Sequence, residues 1–331
     1  AGLAIDKIIR YDTSPEALSN WRNQLSFIGD DEDGQRHMLQ ADEIAGLIEA
    51  NYPAFNTEKI YLDAFTQVST PGGERYPEVN EAINQAIFRG NLVMTYLGRG
   101  GSQGLAQERI LNITDIRSWE NNDKMPLFVT ATCSFTGYDD AGFTTAGEEV
   151  FLNPRGGAFA LMTTTRAVLS SQNKLLTEQV LIRLFERDQG QPRAIGTVMQ
   201  LAKNSFTGGG ILSNSRKFTL IGDPSQKLAM PRREVRTKVI NTSNVQAGVP
   251  DTLRALQKIT IAGEITDEVG KLLNDFNGTL YPTIYDKKAT LYTLGQDPGS
   301  PVKPFDIQRN VIFKGKASVN KGKFEFSFVV P

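Results

Sequence analysis

Short apolar runs alternate with amphipathic segments over the first two thirds of the chain. Apolar runs without polar alternation predict strands that are buried on both faces of a sheet. The predicted strands are residues 25–30, 59–65, 91–98, 126–133, 158–165 and 217–223. The predicted helices between them are residues 39–52, 77–90, 147–154, 170–187 and 193–204. This alternation favours an α/β domain with a mostly parallel sheet between helices.

The pattern changes after about Met230. From there on, apolar and polar residues alternate with a period of two, which is typical of half-buried strands, and turn residues separate the segments. These segments are 231–243, 256–266, 276–286, 288–295, 307–319 and 323–331. We therefore expect two domains, an α/β domain over residues 1–232 and an all-β immunoglobulin-like sandwich over residues 233–331.

Composition and charge exclude several classes of function. The chain has 331 residues, with 36 lysines and arginines against 37 aspartates and glutamates, so no basic surplus favours nucleic acid. The single cysteine cannot form an internal disulfide, and one cysteine with one histidine is too few for a Cys/His zinc site. No apolar run approaches the ~18 residues of a membrane-spanning helix, and the first residues lack an apolar signal-peptide segment.

Two neighbouring strand ends have the composition of a site. The turn Gly98-Arg99-Gly100-Gly101 follows one predicted strand, and Cys133 ends the next and is followed by small polar residues. Glycine allows a tight turn that brings backbone N–H groups close to a ligand. Because the carboxyl ends of parallel strands meet at one edge of the sheet, we expect the two loops to face each other.

Two interpretations of Cys133 remain open at this point. Free cysteines are usually small buried hydrophobic residues. A cysteine at the carboxyl end of a buried strand is also where an α/β enzyme places a nucleophile that attacks a carbonyl. In that case the N–H groups of Cys133 and of the Gly100–Gly101 turn would form an oxyanion hole.

Longer motifs extend this site. They are GRGG, then ATCSFTGYDD, then AGEEVFLNPRGGAFALMTTTRAV, then RKFTLIGDPSQKLAMP. Together they resemble the gingipain-like cysteine peptidases, most closely the surface sortases of the bacterial type IX secretion system. The likeness covers residues 1–230 and the domain that follows.

The resemblance implies a caspase-like α/β fold with a Cys/His dyad and no required cofactor, although the family also suggests a structural calcium ion. It implies that the protein acts at the bacterial cell surface, on the extracellular face of the outer membrane. There it would remove C-terminal signal domains from exported cargo, in contact with other components of the secretion system. The resemblance also implies that the cargo would sometimes be transferred to a lipopolysaccharide acceptor.

One residue departs from the family pattern. The family motif at the first strand end is Gly-His-Gly, with the histidine as general base, whereas this chain has Gly98-Arg99-Gly100. Cys133 matches the family nucleophile. An arginine cannot accept and return a proton near neutral pH, although it can favour a thiolate as a neighbouring cation. The explanations are a natural or engineered loss of the base, a pseudo-enzyme that still binds cargo, or recruitment of another base.

The remaining candidates lie in other loops. His37 is the only histidine available as an alternative base, but its place in a polar loop favours a solvated surface residue. The run of acidic residues that includes Asp30 and Asp31 is typical of a solvated face. The functional alternatives are that one carboxylate orients the dyad, that it selects a basic substrate residue, or that the run binds calcium. The spacing lacks the glutamate of an EF-hand, so we assign no metal ligands. Arg166 favours a surface salt bridge over contact with a substrate carboxylate.

Two glycine-rich stretches do not indicate a functional site. STPGGERYP lacks the Lys-Ser/Thr ending of a phosphate-binding loop, and TGGGIL at residues 207–212 is typical of a loop before the last strand.

Three functions are consistent with this pattern. The first is a cysteine peptidase or sortase that uses Cys133, impaired by Arg99. The second is a catalytically inactive module of the same fold that binds cargo. The third is a structural surface protein in which Cys133 is buried and unreactive.

Overall fold

The computed structural model describes residues 2–17, 19–206, 213–246 and 252–331. The loop predicted at residues 207–212 lies outside these ranges. The chain divides into two compact units. The first contains Ala1–Met230 and Leu291–Phe305, and the second contains Pro231–Thr290 and Asp306–Pro331.

The helices of the first unit surround a sheet. They are α1 (Gly2–Thr13), α2 (Glu32–Asn51), α3 (Pro77–Arg89), α4 (Ile113–Ser118), α5 (Ala146–Leu152), α6 (Ser170–Phe185) and α7 (Ile195–Asn204). Short 3-10 turns lie at Pro15–Ala17, Asn20–Asn23 and Leu62–Ala64. The five predicted helices are confirmed as α2, α3, α5, α6 and α7, whereas α1 and α4 were not predicted. None of the described helices is long and apolar enough to cross a membrane.

The strands of the first unit include all six that the apolar runs predict. They are β1 (Gln24–Gly29), β2 (Asn56–Tyr61), β3 (Val68–Thr70), β4 (Gly73–Arg75), β5 (Val93–Leu97), β6 (Gly100–Gly101), β7 (Gly104–Leu105), β8 (Leu111–Asn112), β9 (Leu127–Ala131), β10 (Ala160–Thr164), β11 (Arg187–Asp188), β12 (Gln191–Pro192) and β13 (Phe218–Ile221). The central sheet has the order β13-β10-β9-β5-β1-β2. Its strands pair in parallel except for β13, which runs antiparallel to β10. The glycine-rich stretch STPGGERYP forms the β3–β4 hairpin.

The two faces of the sheet pack against different helices. Ile28 of β1 belongs to a buried apolar cluster that contains side chains of α3, α4 and α5. The next residue, Gly29, faces α2 so closely that a Cβ there would lie 2.7 Å from the Cα of Met38. Because successive residues of a strand point to opposite faces, these contacts place α2 on the face opposite α3. The predicted sheet between helices is therefore confirmed.

The strand register aligns the strand ends that carry the candidate residues. Gly29 of β1 pairs with Leu97 of β5, and Leu97 pairs with Ala131 of β9. The residues that follow the three strands therefore leave the sheet at the same level. They are Asp30, Gly98 and Thr132, the last of which precedes Cys133.

The second unit is an antiparallel β-structure. Its strands are β14 (Glu234–Ile240), β15 (Ser243–Asn244), β16 (Lys258–Thr266), β17 (Gly278–Leu280), β18 (Thr283–Tyr285), β21 (Val311–Lys314), β22 (Ala317–Asn320) and β23 (Lys323–Val329), and two further strands, β19 (Ala289–Tyr292) and β20 (Pro304–Ile307), lie where the chain passes between the units. The main sheet has the order β15-β14-β16-β23-β22-β17, and its core includes Ile259, Phe324 and Phe328. The predicted all-β region is confirmed, and its immunoglobulin-like topology stays a prediction.

The division of the chain differs from the predicted boundary at residue 232 in one segment. Leu291–Phe305 belongs to the first unit, although it follows strands of the second. Its contact with Asp63, which is buried after β2, explains why. The Asp63 carboxylate accepts hydrogen bonds from the backbone N–H groups of Gly295 at 2.6 Å and of Gln296 at 3.0 Å. A periodic pattern of apolar residues carries no information about such a polar anchor.

Candidate active site

A cleft of about 1180 Å³ lies at the carboxyl edge of the central sheet. Its lining contains both predicted strand-end loops and residues of three helices, α2, α4 and α6. The lining residues that matter for the chemistry are Asp33, His37, Arg99, Gly100, Cys133 and Ser170. The two loops thus share one cleft, as their positions after neighbouring parallel strands predict.

Cys133 is half-buried beyond the end of β9 and lines this cleft. The backbone N–H of Val168 lies 3.5 Å from its Sγ, at hydrogen-bonding distance. The next residue, Ser134, has a positive φ of 48°, a sparsely populated conformation for a residue other than glycine. Such a bend turns the chain sharply after the strand. The thiol therefore reaches the cleft and is not enclosed in the core.

Arg99 points its guanidinium at two acidic side chains of α2. Its Nη2 donates to Asp33 Oδ1 at 2.7 Å, and its Nε lies 3.8 Å from Glu32 Oε2. The hydrogen bond that Arg99 donates to Asp33 raises the pKa of Arg99, and the same bond lowers the pKa of Asp33. The arginine stays charged, so it cannot act as a general base.

The glycines around Arg99 differ in how much space surrounds them. A Cβ on Gly98 would lie 2.3 Å from Tyr96 Oη, and a Cβ on Gly100 would lie 2.8 Å from Thr132 Oγ1. By contrast, no atom lies within 4 Å of the Cβ position of Gly101. Close packing thus explains Gly98 and Gly100, whereas Gly101 faces open space. The oxyanion role of Gly100 and Gly101 stays a prediction.

His37 does not lie in a solvated loop, and that prediction is wrong. It belongs to α2 and is only 5% exposed. Its Nε2 lies 3.2 Å from Asp33 Oδ2, and its Nδ1 lies 3.3 Å from Ser170 Oγ at the start of α6. With each ring nitrogen engaged in this way, neither makes a hydrogen bond with Cys133. The first turn of α2 has positive φ values at Asp33, Gly34 and Gln35, and the imidazole lies against Ser170 of α6, a contact that the local sequence does not reveal.

Asp30 and Asp31 are fully buried, so the prediction of a solvated acidic face is wrong for them. Asp30 Oδ2 accepts hydrogen bonds from the backbone N–H of Arg99 at 2.6 Å and from Tyr96 Oη at 3.2 Å. Asp31 accepts a hydrogen bond from Tyr76 Oη. Asp30 thus supports the turn at Arg99 through the backbone, whereas Asp31 is held by Tyr76. Because they are 0% exposed, they do not reach a substrate.

Glu108 completes this buried acidic group, and no motif in the sequence predicts its place there. Burial, followed by the charge of Asp30, raises the pKa of Asp31 to about 9. Burial likewise raises the pKa of Glu108 to about 7. Glu108 occupies a loop between β7 and β8, and only the fold brings it to Asp30 and Asp31. Its distance along the chain explains why no local motif could reveal it.

Arg166 forms a surface salt bridge, as the sequence favours. Its guanidinium hydrogen-bonds to the carboxylate of Asp139, and the side chain is 56% exposed. Its backbone carbonyl accepts a hydrogen bond from Ser134 N–H at 3.3 Å. The backbone of Arg166 thus supports the loop after Cys133, whereas its side chain forms a salt bridge at the surface.

The fold and the cleft together define an α/β domain with a cysteine at a strand end, as in cysteine peptidases. The sequence matches the family model described as "Peptidase family C25" over residues 1–229. The chain belongs to this family of cysteine peptidases, and its predicted gingipain-like character is confirmed. A search of curated proteins gives no significant match.

Two solved gingipain structures show the same fold. The crystal structure of the Arg-specific cysteine proteinase gingipain R has a TM-score of 0.56 and 18% identity, covering 98% of this chain and 65% of that one. The complex of the RgpB pro- and mature domains from Porphyromonas gingivalis has a TM-score of 0.54 and 16% identity, covering 97% and 66%. Dimeric latent PorU, also from Porphyromonas gingivalis, matches at 26% identity with a TM-score of 0.29, covering 54% of this chain and 17% of that one. The chain thus spans less than two thirds of the length of the two gingipain structures.

Proposed function

We propose that this chain is the peptidase part of a type IX secretion sortase, with Cys133 as nucleophile and Arg99 at the position of the family's base histidine. One observation carries the proposal. The only cysteine of the chain is half-buried in a cleft that also contains the Gly98–Gly101 turn. Membership of peptidase family C25 supports a peptide bond as the target.

The neighbours of Cys133 suit the first step of peptide cleavage. A thiolate at Sγ attacks the carbonyl carbon of the peptide, and the carbonyl oxygen becomes an oxyanion. The Val168 N–H, 3.5 Å from Sγ, favours the thiolate. Backbone N–H groups of Cys133 and of the Gly100–Gly101 turn would stabilise the oxyanion. The leaving amine then needs a proton, which Arg99 cannot return.

The substrates that fit this proposal are the C-terminal signal domains of secreted cargo proteins. The enzyme would act at the bacterial cell surface with other secretion components, and a lipopolysaccharide acceptor would replace water when cargo is transferred. The near balance of 36 basic and 37 acidic side chains supports protein rather than nucleic acid as the partner. The motifs around Arg99, Cys133 and Arg166 that resemble these sortases support the assignment.

A second candidate is a binding module that no longer cleaves. The ion pair between Arg99 and Asp33 favours it, because the guanidinium occupies the carboxylate that would otherwise orient a base. In this case the cleft retains the signal domain of cargo without forming a thioester.

Cleavage of a cargo protein with its C-terminal signal domain separates these candidates. We expect slow release of the signal domain by the wild-type chain, faster release by Arg99→His, and none by Arg99→His/Cys133→Ala. Mass spectrometry of the released domain gives the cleavage position. If both the wild-type chain and Arg99→His bind the cargo and neither releases the domain, the binding module is the correct function.

A further inference from the structure

The charged side chains that line the cleft are mostly basic. They are Arg36, Arg99 and Arg109, with His37 and a single carboxylate, that of Asp33. The whole chain has 36 basic and 37 acidic side chains, so the basic surplus is local to the cleft. A concave surface with charges of one sign concentrates ligands of the opposite sign. The lining therefore favours an anionic ligand.

The one carboxylate in the lining is already engaged. Asp33 Oδ1 accepts a hydrogen bond from Arg99 Nη2 at 2.7 Å, and its Oδ2 lies 3.2 Å from His37 Nε2. Asp30 and Asp31 are fully buried and do not line the cleft. Among the described residues of the lining, no carboxylate oxygen thus remains for a basic substrate residue.

The guanidinium groups of Arg36 and Arg109 are available to a ligand. Over the ranges that the structure describes, no hydrogen bond or ion pair joins either group to another residue. Both residues are exposed. Arg99 differs from them, because its guanidinium pairs with Asp33. Two of the three arginines in the cleft can therefore bind an anionic group without breaking an internal contact.

The backbone around Arg109 directs its side chain outward. Arg109 lies between Glu108 and Ile110, which are only 4% and 0% exposed. Its φ of 56° falls in the left-handed region, which residues other than glycine adopt infrequently. The loop is attached to the strand-end turn, since the Ala106 N–H donates to the Arg99 carbonyl oxygen at 3.0 Å. The guanidinium thus extends into the cleft from a backbone that is held beside that turn.

Arg36 reaches the same cleft from α2. Its neighbours Gln35 and His37 are 0% and 5% exposed, whereas Arg36 is exposed. The helix is held here by the contact between His37 Nδ1 and Ser170 Oγ of α6, at 3.3 Å. The two available arginines therefore belong to separate elements, and both border the cleft that contains Cys133.

We propose that Arg36 and Arg109 select substrate peptides with aspartate or glutamate in the segment that crosses the cleft. A guanidinium binds a carboxylate through two parallel N–H···O bonds, which an amide of the same shape cannot reproduce. The proposal rests on the proposed function in taking a peptide as the ligand, but it concerns binding and not the chemistry at Cys133. The preference is opposite to the basic substrate residue that the acidic run of the sequence suggested.

Binding of three short peptides that differ only in charge tests the proposal. The peptides carry glutamate, glutamine or lysine at the same positions, and Cys133→Ala prevents their cleavage. We expect the glutamate peptide to bind about tenfold tighter than the glutamine peptide at low salt, because hydrogen bonds to charged groups are the stronger ones. The lysine peptide should bind most weakly, and added NaCl should reduce the differences. Equal affinities for the glutamate and glutamine peptides, or no binding of either, would overturn the proposal.

Substitution of the two arginines locates the selection. Arg36→Gln and Arg109→Gln should each weaken binding of the glutamate peptide by about tenfold and leave that of the glutamine peptide unchanged. Arg109→Glu should reverse the order, so that the lysine peptide binds better than the glutamate peptide. The control Arg89→Gln removes the same charge at the end of α3, where Arg89 pairs with Glu58, and should change neither affinity. An undiminished preference in both cleft variants would overturn the proposal.

Cleavage by Arg99→His separates this proposal from the proposed function. We expect the highest kcat/KM for the glutamate peptide. Selective binding of the glutamate peptide without any cleavage would support the charge selection and contradict the peptidase. Cleavage of all three peptides with equal kcat/KM would support the peptidase and overturn the charge selection.

Discussion

Asp33 connects Arg99 to His37. Its Oδ1 accepts a 2.7 Å hydrogen bond from Arg99 Nη2, and its Oδ2 lies 3.2 Å from His37 Nε2. The carboxylate thus holds the guanidinium in the cleft, at the residue that we propose to occupy the position of the family's base histidine. A histidine at residue 99 would face the same carboxylate, which is the arrangement that orients an imidazole for proton transfer.

This arrangement predicts how Asp33 would affect a histidine introduced at residue 99. Arg99→His should raise the turnover of a peptide substrate, and adding Asp33→Asn should lower kcat again by about tenfold or more, because the imidazole loses its orienting carboxylate. The pH profile of kcat should shift with this second substitution while KM changes little. Equal kcat values and pH profiles in the single and double variants would contradict a positioning role for Asp33.

The packing of the Arg99 turn predicts different effects for two similar substitutions. Gly98→Ala places a methyl group 2.4 Å from the Cβ of buried Asp30, so it should lower the free energy of unfolding by about 1–3 kcal/mol. Gly101→Ala meets no atom within 4 Å and should change it by less than about 0.5 kcal/mol. Urea denaturation of the two variants checks this contrast. Equal losses would show that the turn is not as tightly packed as described.

Buried Lys7 predicts a pH-dependent stability. Its Nζ donates to the carbonyl oxygen of Phe151 at 2.8 Å, and burial lowers the pKa of Lys7 to about 7, against about 10.4 in an unfolded chain. Between these values the unfolded chain binds more protons than the folded one, so the folded chain gains stability as the pH rises.

The variant Lys7→Met isolates this effect. From pH 7 to about pH 9, the wild-type free energy of unfolding should rise relative to that of the variant by about 2 kcal/mol. Chemical denaturation at each pH gives both values, and the difference cancels the contribution of other titrating groups. Parallel pH profiles would mean that Lys7 keeps its ordinary affinity for protons when buried.

Asp63 predicts how Leu291–Phe305 is held in the first unit. Its carboxylate accepts hydrogen bonds from Gly295 N–H, Gln296 N–H and Gln35 Nε2. Asp63→Asn places an amide donor among these donors and should cost about 2 kcal/mol of stability. The amides of Gly295 and Gln296 should then exchange hydrogen faster, whereas those of β9 should not. Unchanged exchange at Gly295 would mean that other contacts hold the segment.

The sheet was predictable because its strands are buried on both faces and therefore read as unbroken apolar runs. The antiparallel direction of β13 could not be predicted, since an apolar run does not specify strand direction. α1 escaped prediction because Leu3, Ile5 and Ile9 remain exposed and blur the apolar face of the helix. The position of Cys133 after β9 followed from the same strand pattern.

The surroundings of the site were less predictable. The run from Asp30 to Asp33 is strongly acidic, which usually indicates exposure to solvent. The fold nevertheless buries its first two residues, Asp30 and Asp31. His37 looked solvated because its sequence neighbours are polar, whereas its contact with Ser170 comes from a distant helix. Glu108 and Asp63 act through tertiary contacts that leave no local pattern.

Alkylation of Cys133 by iodoacetamide tests the central claim, that the thiol stands in an open site. Because the chain has one cysteine, the mass of the intact protein reports modification of this residue alone. We expect the native chain to be alkylated while it remains folded, at a rate that changes in Arg99→His because the neighbouring charge is altered. A thiol that reacts only after unfolding, in both proteins, would make Cys133 a core residue and contradict the account.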